Sequence, residues 1–396
     1  MLERLESLPA DPILGTIVAC RNDPNPDKVD LGVGQYKDAR GTTPVFAAVR
    51  AAEERVLADQ ATKGYVPPPG DPDFLSGIVV TLLGPDHPAV VDNRVGAVQT
   101  TGGSGALRVL AGMVLRALDD APLWAPNPTW GNHIPLLGAA GLAISQYPYY
   151  DQSTHSLEFD AMMEVVRQRG PGDVVLVHGC CHNPCGADLS PTQWDEFIEV
   201  AAERRFTPFV DFAYHGLGEG LDADARGIRL LAERVPELIV AYSASKNFGL
   251  YRERTGLAMA VARTAEVAAT QTSQMANIAR ELYSMPPAHG ASIVATILGD
   301  PDLTTSWEEE VATMRTRLNG LRALLSARLR ETTGGTEFDY VEHERGMFSF
   351  LGLTPDQVTA LQREHSVYTI PSSRMNVAGV TEDNVDLVAR AVARVV

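Results

Sequence analysis

Apolar and polar residues alternate along the middle of the chain in a repeating order. Short runs that are apolar on both faces, at 173–177, 207–212 and 237–242, are separated by stretches of helical period at 191–205 and 228–235. Strands of this kind are typical of a parallel sheet covered by helices, and the alternation is typical of βαβ units. The pattern predicts an α/β fold with a mostly parallel central sheet, from about Ala97 to about Met259, and helices on both faces.

The two ends of the chain have a different pattern. Thr43 and Pro44 resemble a cap residue and a proline at the first helical position, which predicts a helix from there through Gln60. After Pro301 the pattern predicts a long helix over 307–330, short strands within 338–353, a helix over 355–364 and a last helix from Thr381. We therefore expect an N-terminal arm (1–11), a large domain (43–311) and a smaller α+β domain (12–42 and 312–396).

Charge and composition narrow the classes of partner. The 396 residues include 33 basic and 50 acidic ones, and the net charge of −17 argues against nucleic acid or an anionic membrane as partner. The acidic N-terminus is unlike a signal peptide, and the longest uncharged stretch, 121–150, contains several prolines, so no membrane span is expected. Four cysteines without a disulfide framework are typical of a reducing compartment, which favours the cytoplasm.

A glycine-rich turn at residues 101–108 follows a predicted strand and opens a predicted helix. Gly103 and Ser104 lie in this turn, where backbone N–H groups can point at a phosphate and the helix dipole favours an anion. A tight strand-to-helix turn without a ligand explains the same residues.

A lysine follows the predicted strand at 237–242. Such a lysine lies where ligands bind open α/β sheets, and when desolvated it can be a Schiff-base amine. Ser243 and Ser245 before Lys246, and Arg254 after it, could surround a phosphate. An exposed loop lysine is the alternative interpretation.

An aspartate lies at the end of the predicted strand at 207–212. If Asp211 is buried it needs a cationic partner, such as a protonated pyridine nitrogen. Otherwise it is a helix cap.

Cysteine and histidine are dense in residues 178–186, which raises the question of zinc. No second cluster exists to complete four ligands, so no metal is expected. The Asn-Pro turn instead favours Asn183 as a side-chain donor at the sheet edge. Near the C-terminus, Arg374 lies in a polar turn and its guanidinium suits a carboxylate, unless it is an ordinary surface arginine.

Taken together and in this order, these motifs closely resemble the class I aspartate and aromatic-amino-acid aminotransferases, which use pyridoxal 5'-phosphate. The resemblance extends from about Asp11 to the C-terminus. It implies fold type I of the pyridoxal-phosphate-dependent transferases. The segments that carry it are 31–34, 36–38, 127–133, 178–184, 211–214, 243–254, 286–290 and 374–379.

The resemblance implies a role for each central residue. Lys246 would be the Schiff-base lysine that moves a proton between the substrate Cα and the cofactor. Asp211 would keep the pyridine nitrogen protonated, with His133 behind it, and Tyr214 and Asn183 would hydrogen-bond the ring oxygen.

The resemblance also implies the remaining contacts. Those of the ring and phosphate would come from Trp130, Gly103, Ser104, Ser243, Ser245, Arg254 and, from the neighbouring subunit of a homodimer, Tyr65. Those of the substrate would come from Gly34, Trp130, Asn183, Arg374 and, for a distal carboxylate, Arg280 of the partner.

The expected activity is ping-pong amino transfer between an L-amino acid, aspartate or aromatic or both, and a 2-oxo acid such as 2-oxoglutarate or oxaloacetate. The substrate pocket is mixed, since Lys37 and Thr43 resemble aspartate-restricted enzymes and Ser104 resembles aromatic-accepting ones. The alternatives are a lyase or decarboxylase of the same fold and a non-catalytic ligand-binding relative.

Overall fold

The computed structural model describes residues 2–7, 12–118, 120 and 122–396, and for Pro12 and Ile13 the backbone alone. Its contacts divide the chain into two compact units: unit 1, Met1–Thr43 with Leu318–Val396, and unit 2, Pro44–Arg317. Of the predicted N-terminal arm, residues 1 and 8–11 lie outside the described residues, as does Asp11, where the resemblance begins. The predicted domain boundaries, at 42/43 and 311/312, stay predictions.

The helices of the described residues occur in both units. None of them is both long enough and apolar enough to cross a membrane. In chain order they are α1 (Pro12–Asn22), α2 (Ala47–Asp59), α3 (Pro72–Leu83), α4 (Pro88–Val91), α5 (Gly102–Ala117), α6 (His133–Gly138), α7 (Phe159–Val166), α8 (Pro191–Arg204), α9 (Leu221–Arg234), α10 (Ala265–Tyr283), α11 (Ala288–Leu298), α12 (Pro301–Thr333), α13 (Tyr340–His343), α14 (Pro355–His365) and α15 (Val385–Val395), with 3₁₀ turns at Leu2–Arg4 and Val377–Gly379.

The strands form one large sheet in unit 2 and smaller pairings elsewhere. They are β1 (Val29–Asp30), β2 (Val95–Thr101), β3 (Pro122–Asn127), β4 (Ala143–Pro148), β5 (Tyr150–Asp151), β6 (Ser156–Leu157), β7 (Val174–His178), β8 (Thr207–Phe212), β9 (Leu238–Ser243), β10 (Thr255–Val261), β11 (Phe348–Phe350), β12 (Val367–Tyr368) and β13 (Arg374–Asn376). The large sheet has the order β2-β10-β9-β8-β7-β3-β4.

The large sheet confirms the predicted mostly parallel α/β architecture. Strands β9, β8, β7, β3 and β4 pair in parallel, and only β10 is antiparallel to its neighbours β2 and β9. Nearly all residues of β7, β8 and β9 are buried, as their apolar runs predict. Because the carboxyl ends of parallel strands lie at one edge, the segments after β7, β8 and β9 come together there.

Unit 1 has two short strand pairs and its own core. Strand β1 pairs in parallel with β12, and β11 pairs antiparallel with β13. The core joins apolar side chains from the second half of α12 with those of α14 and α15, including Leu325, Leu361 and Val388. Within 338–353 the prediction of strands alone is wrong, because α13 precedes the single strand β11.

Four predicted helix starts are also wrong, among them that of α12, which begins at Pro301 rather than at residue 307. Helix α2 begins at Ala47 rather than Thr43, because the Thr43 hydroxyl donates to the Tyr36 carbonyl, whereas the Glu310 carboxylate accepts from the N–H groups of Ala47 and Ala48. The last helix begins four residues after Thr381, since this residue forms a turn closed by reciprocal bonds with Asn384.

The fourth error concerns α9. This helix begins at Leu221, well before residue 228, because its first turn carries Asp222 and Asp224 and no apolar period.

Candidate functional site

A buried carboxylate lies at the carboxyl end of β8. Asp211 is 8% exposed, and its Oδ2 is 3.1 Å from Nε2 of His133, which is fully buried. Burial by itself would raise the pKa of Asp211, but the His133 hydrogen bond and the neighbouring Lys246 outweigh it, so the pKa is lowered. Asp211 is therefore an ionised acceptor, as predicted for a residue that holds a cationic partner.

A hydroxyl fixes the orientation of the histidine behind this carboxylate. Thr129 Oγ1 is 2.7 Å from His133 Nδ1 and 3.1 Å from His178 Nε2. Burial lowers the pKa of His178 to about 3, against the opposing charge of Asp211, so His178 is neutral. A chain of hydrogen bonds thus runs from His178 through Thr129 and His133 to Asp211. The sequence analysis did not assign Thr129 or His178 a role, although both lie in segments that it singled out.

Lys246 follows β9, next to the strand that carries Asp211. Among the described residues its ammonium group has no hydrogen-bond or ion-pair partner, and Nζ lies 5.0 Å from the centroid of the Tyr214 ring. Burial lowers the pKa of Lys246 to about 8, Asp211 opposes the shift, and Arg254 adds to it. A lysine in this state is a usable nucleophile and base near neutral pH.

The structure brings four further predicted residues close to this pair. Asn183 Nδ2 donates to the Tyr214 hydroxyl at 3.3 Å, and both side chains are buried. The Trp130 ring meets the His133 ring edge-on, with centroids 5.3 Å apart. Unit 2 therefore gathers Trp130, His133, Asn183 and Tyr214 around the two charged groups.

A cradle of small residues lies at the N-terminus of α5. The φ angle of Gly102 is +72°, and a Cβ at this position would lie 2.6 Å from Arg254 Nη2, so only glycine lets the guanidinium approach so closely. A Cβ on Gly103 would lie 3.1 Å from that of Ser243. The Ser243 hydroxyl in turn donates to the Ser245 hydroxyl at 3.1 Å.

These groups are suited to hold an anion. A 16-residue helix begins here, so its free N–H groups and dipole favour negative charge, and Arg254 adds a full positive charge. Ser104 lies in the first turn of this helix.

Arg374, the arginine predicted near the C-terminus, is buried in unit 1. The Arg374 Nη2 donates to the Gly32 carbonyl at 3.0 Å, and its guanidinium carbon lies 4.3 Å from the centroid of the Phe348 ring. A Cβ on Gly34 would lie 3.3 Å from the same ring. Arg374 is thus a stacked arginine and not the surface residue of the alternative interpretation.

Two predicted site residues, Tyr65 and Arg280, do not contact any of the site residues described above. Tyr65 is 90% exposed in a loop before α3. Arg280 is exposed near the end of α10, where its Nη1 donates to the Ser284 hydroxyl at 3.3 Å.

The cysteine and histidine segment after β7 packs without a metal-binding arrangement. His182 stacks on Tyr149 with ring centroids 4.1 Å apart, and its Nδ1 is 3.1 Å from the sulfur of Cys185. In the part of the chain that the structure describes, no group of three or more metal-ligating side chains could hold an ion.

Comparisons with known proteins agree with this site. The model of the family described as aminotransferase class I and II matches residues 26–392. An aromatic-amino-acid aminotransferase of Pseudomonas aeruginosa is 45% identical over 99% of this chain and 98% of its own. An aspartate aminotransferase of Haemophilus influenzae is 42% identical over the full length of both. The crystal structure of an aromatic-amino-acid aminotransferase from Burkholderia pseudomallei, covalently bound to pyridoxal phosphate, has a TM-score of 0.97 and 38% identity over 100% of this chain and 99% of its own.

Proposed function

The chain belongs to the class I and II aminotransferases, and from that premise we propose that it moves amino groups in a ping-pong reaction between an L-amino acid and a 2-oxo acid. It is an enzyme that depends on pyridoxal 5'-phosphate. The amino acid is aspartate, an aromatic one, or both, and the oxo acid is 2-oxoglutarate or oxaloacetate. The observation that carries the proposal is the buried carboxylate of Asp211 close to the partly exposed Lys246, at the ends of adjacent strands.

The donor groups of unit 2 fit this cofactor. The phosphate matches the α5 cradle with Ser243, Ser245 and Arg254, the protonated ring nitrogen matches the Asp211 carboxylate, and the aldehyde matches the Lys246 amine. When bound, the cofactor supplies an electron-withdrawing ring that stabilises negative charge at the substrate Cα.

Lys246 is suited to carry both the cofactor and the proton. With a pKa of about 8, roughly a tenth of its amine is neutral at pH 7, far more than for an ordinary lysine. We assign it the proton transfer at the substrate Cα, first as base and then as acid.

The residues around Lys246 hold the ring in one state. The ionised Asp211 favours a proton on the ring nitrogen, and His133, fixed by Thr129, keeps that carboxylate oriented. The hydroxyl of Tyr214 and the amide of Asn183 suit the ring oxygen as donors. We assign Trp130 to the face of the ring.

We assign the substrate α-carboxylate to Arg374, with Asn183 and Gly34, and the distal carboxylate of a dicarboxylic substrate to Arg280. A relative named for aspartate is 42% identical to this chain and one named for aromatic amino acids is 45% identical, so the proposal includes both kinds of amino acid.

The exposed Tyr65 and Arg280 support a homodimer. Their proposed partners are the cofactor phosphate and the distal carboxylate, and on the single chain both side chains face solvent. We infer that each serves the neighbouring subunit, that units 1 and 2 correspond to the small and large domains, and that the enzyme works in the cytoplasm. Sedimentation at micromolar concentration tests the dimer, and a monomer with full activity contradicts it.

The absorption spectrum of the purified holoenzyme tests the reaction. L-aspartate or L-phenylalanine, each added without an oxo acid, is expected to replace the visible cofactor band with the shorter-wavelength band of the aminated cofactor. Adding 2-oxoglutarate is expected to restore the first band. The concentration of each amino acid at half-conversion ranks the substrates, and a band that neither amino acid alters contradicts the proposed activity.

A further inference from the structure

A cavity of about 580 Å³ lies at the edge of the large sheet opposite the Asp211 and Lys246 pair. The first residues of β7 and β8, Val174 and Thr207, line it, as does Ile239 near the start of β9. Six residues of a strand span about 20 Å, so β9 separates this cavity from the segment that carries Lys246. The cavity is therefore a different place from the cofactor site.

One wall of the cavity carries an acceptor that lacks a donor. Oε1 of Gln271, on α10, is buried and has no hydrogen-bond partner among the described residues. One turn along the same helix, Oε1 of Gln274 accepts from Arg116 at 2.8 Å. Since buried polar groups in proteins are nearly always paired, Gln271 can accept a hydrogen bond from a bound molecule or from a water that such a molecule would displace.

Two unpaired cations line the same cavity. Arg116 is paired with Glu281 at 2.6 Å, but Arg205 and Arg263 form no ion pair with any residue that the structure describes. Arg205 caps α8 with φ at +64°, a left-handed conformation that costs a non-glycine residue about 1 kcal/mol. In a protein of net charge −17, these arginines give a local preference for an anion, which Glu237 on the rim offsets only in part.

Part of the cavity lining is apolar. Leu118 and Pro236 are partly exposed there, next to the nearly fully buried Phe206 and Ile239. A bare inorganic anion would leave this surface wet, whereas an apolar group attached to the anion would cover it.

We propose that this cavity binds a small amphipathic carboxylate that also carries an N–H or O–H donor, the chemistry of an apolar amino or hydroxy acid. Its carboxylate would meet Arg205 and Arg263, its donor would meet Gln271, and its apolar group would cover Leu118 and Pro236. The site does not depend on the proposed activity, because it shares none of the residues assigned to the reaction.

Fluorescence titration of the holoenzyme with 8-anilinonaphthalene-1-sulfonate tests the site, since this probe combines an anion, an N–H donor and an apolar body. One saturable site per chain is expected, with affinity about 10-fold weaker in each of Arg205→Ala and Arg263→Ala. Gln271→Leu should weaken it as well. Arg234→Ala removes an equally exposed arginine at the end of α9 and is expected to change nothing.

Competition identifies the anion. At constant ionic strength, 3-phenylpropionate should displace the probe and inorganic phosphate should not; displacement by phosphate alone would overturn the assignment of a carboxylate with an apolar body. Unchanged probe affinity in both arginine variants, or equal loss in Arg234→Ala, would overturn the site itself. Lys246→Ala should keep the probe site whether or not it abolishes turnover, which separates this test from that of the reaction.

Discussion

Two cations that the fold largely removes from water, one in each unit, have opposite surroundings. Arg322 of unit 1 is fully buried, and its guanidinium donates to the carbonyls of Val341, Arg345, Gly346 and Phe348 and to the Ser349 hydroxyl. The Glu344 carboxylate lies 3.6 Å from it. Lys246 of unit 2 has no hydrogen-bond or ion-pair partner among the described residues and a pKa lowered to about 8.

Arg322 is a charge that stabilises the fold, whereas Lys246 is a charge that is available for chemistry. A buried charge costs free energy unless it is hydrogen-bonded and paired, and Arg322 meets that cost with its own neighbours. It also fixes the backbone around β11, the strand whose Phe348 stacks on Arg374. The amine of Lys246, in contrast, has no such partner and remains available to a ligand. Its incomplete pairing lowers the stability of the protein without cofactor.

The largest expected effect is a loss of catalytic activity in a variant that still folds. Lys246→Ala should lower kcat by about 10⁴-fold or more, since both the amine and the acid–base group are lost. Steady-state assays with aspartate and 2-oxoglutarate measure it. Lys63→Ala, in an exposed loop, should keep normal turnover, and near-normal turnover in Lys246→Ala would refute the assignment.

The second expected effect is a loss of stability when the buried charge of Arg322 is removed. Arg322→Leu should lower the free energy of unfolding by about 3–5 kcal/mol, because Glu344 and several carbonyls lose their buried partner. Urea denaturation measures it. Arg330→Ala on the same helix removes an exposed ion pair with Asp339 and should cost less than about 1 kcal/mol. Equal losses of unfolding free energy in the two variants would show that the hydrogen bonds around the buried Arg322 do not determine its contribution to stability.

The third effect is a pH dependence of the apoprotein. The folded-state pKa of Lys246, about 8, lies below its usual 10.5, so the unfolded chain binds the proton more tightly between these values. The wild-type free energy of unfolding should therefore rise from pH 8 to 10.5 relative to Lys246→Met, by up to about 3 kcal/mol. Below pH 8 the variant should be the more stable protein. A pH-independent difference would contradict the lowered pKa.

The smallest expected effect concerns Arg280, which is exposed, unlike Arg322 and Lys246. Arg280→Ala should reduce kcat/KM for aspartate about 10- to 100-fold more than for phenylalanine, because only aspartate has a distal carboxylate. Stability should change by less than about 0.5 kcal/mol. Arg234→Ala is the matched control, and equal losses for both amino acids would show that Arg280 does not bind the distal group.

Much of the fold and of the site chemistry could be predicted from local pattern. The apolar runs of β7, β8 and β9 are buried almost throughout, as expected; Asp211 lies at the end of β8 and Lys246 follows β9. The starts of α8 and α14 could be predicted from their prolines, whereas that of α2 could not, because a long-range group decides it: Glu310, 263 residues away in sequence, accepts from Ala47.

The sequence alone also left the role of Thr129 open. A threonine between Pro128 and Trp130 has no feature that marks it as a bridge between two histidines. It becomes one only because His178, 49 residues further on, ends a strand that brings it within 3.1 Å.

By itself the sequence determined which chemical groups are present, in what order, and on which kind of element, since periodicity and turn residues act over a few neighbouring positions. Tertiary structure alone decided their state. Asp211 is ionised because His133, 78 residues earlier, is hydrogen-bonded to it. Lys246 has its lowered pKa because the fold buries it without a hydrogen-bond partner among the described residues, and burial is a property of packed elements rather than of any segment.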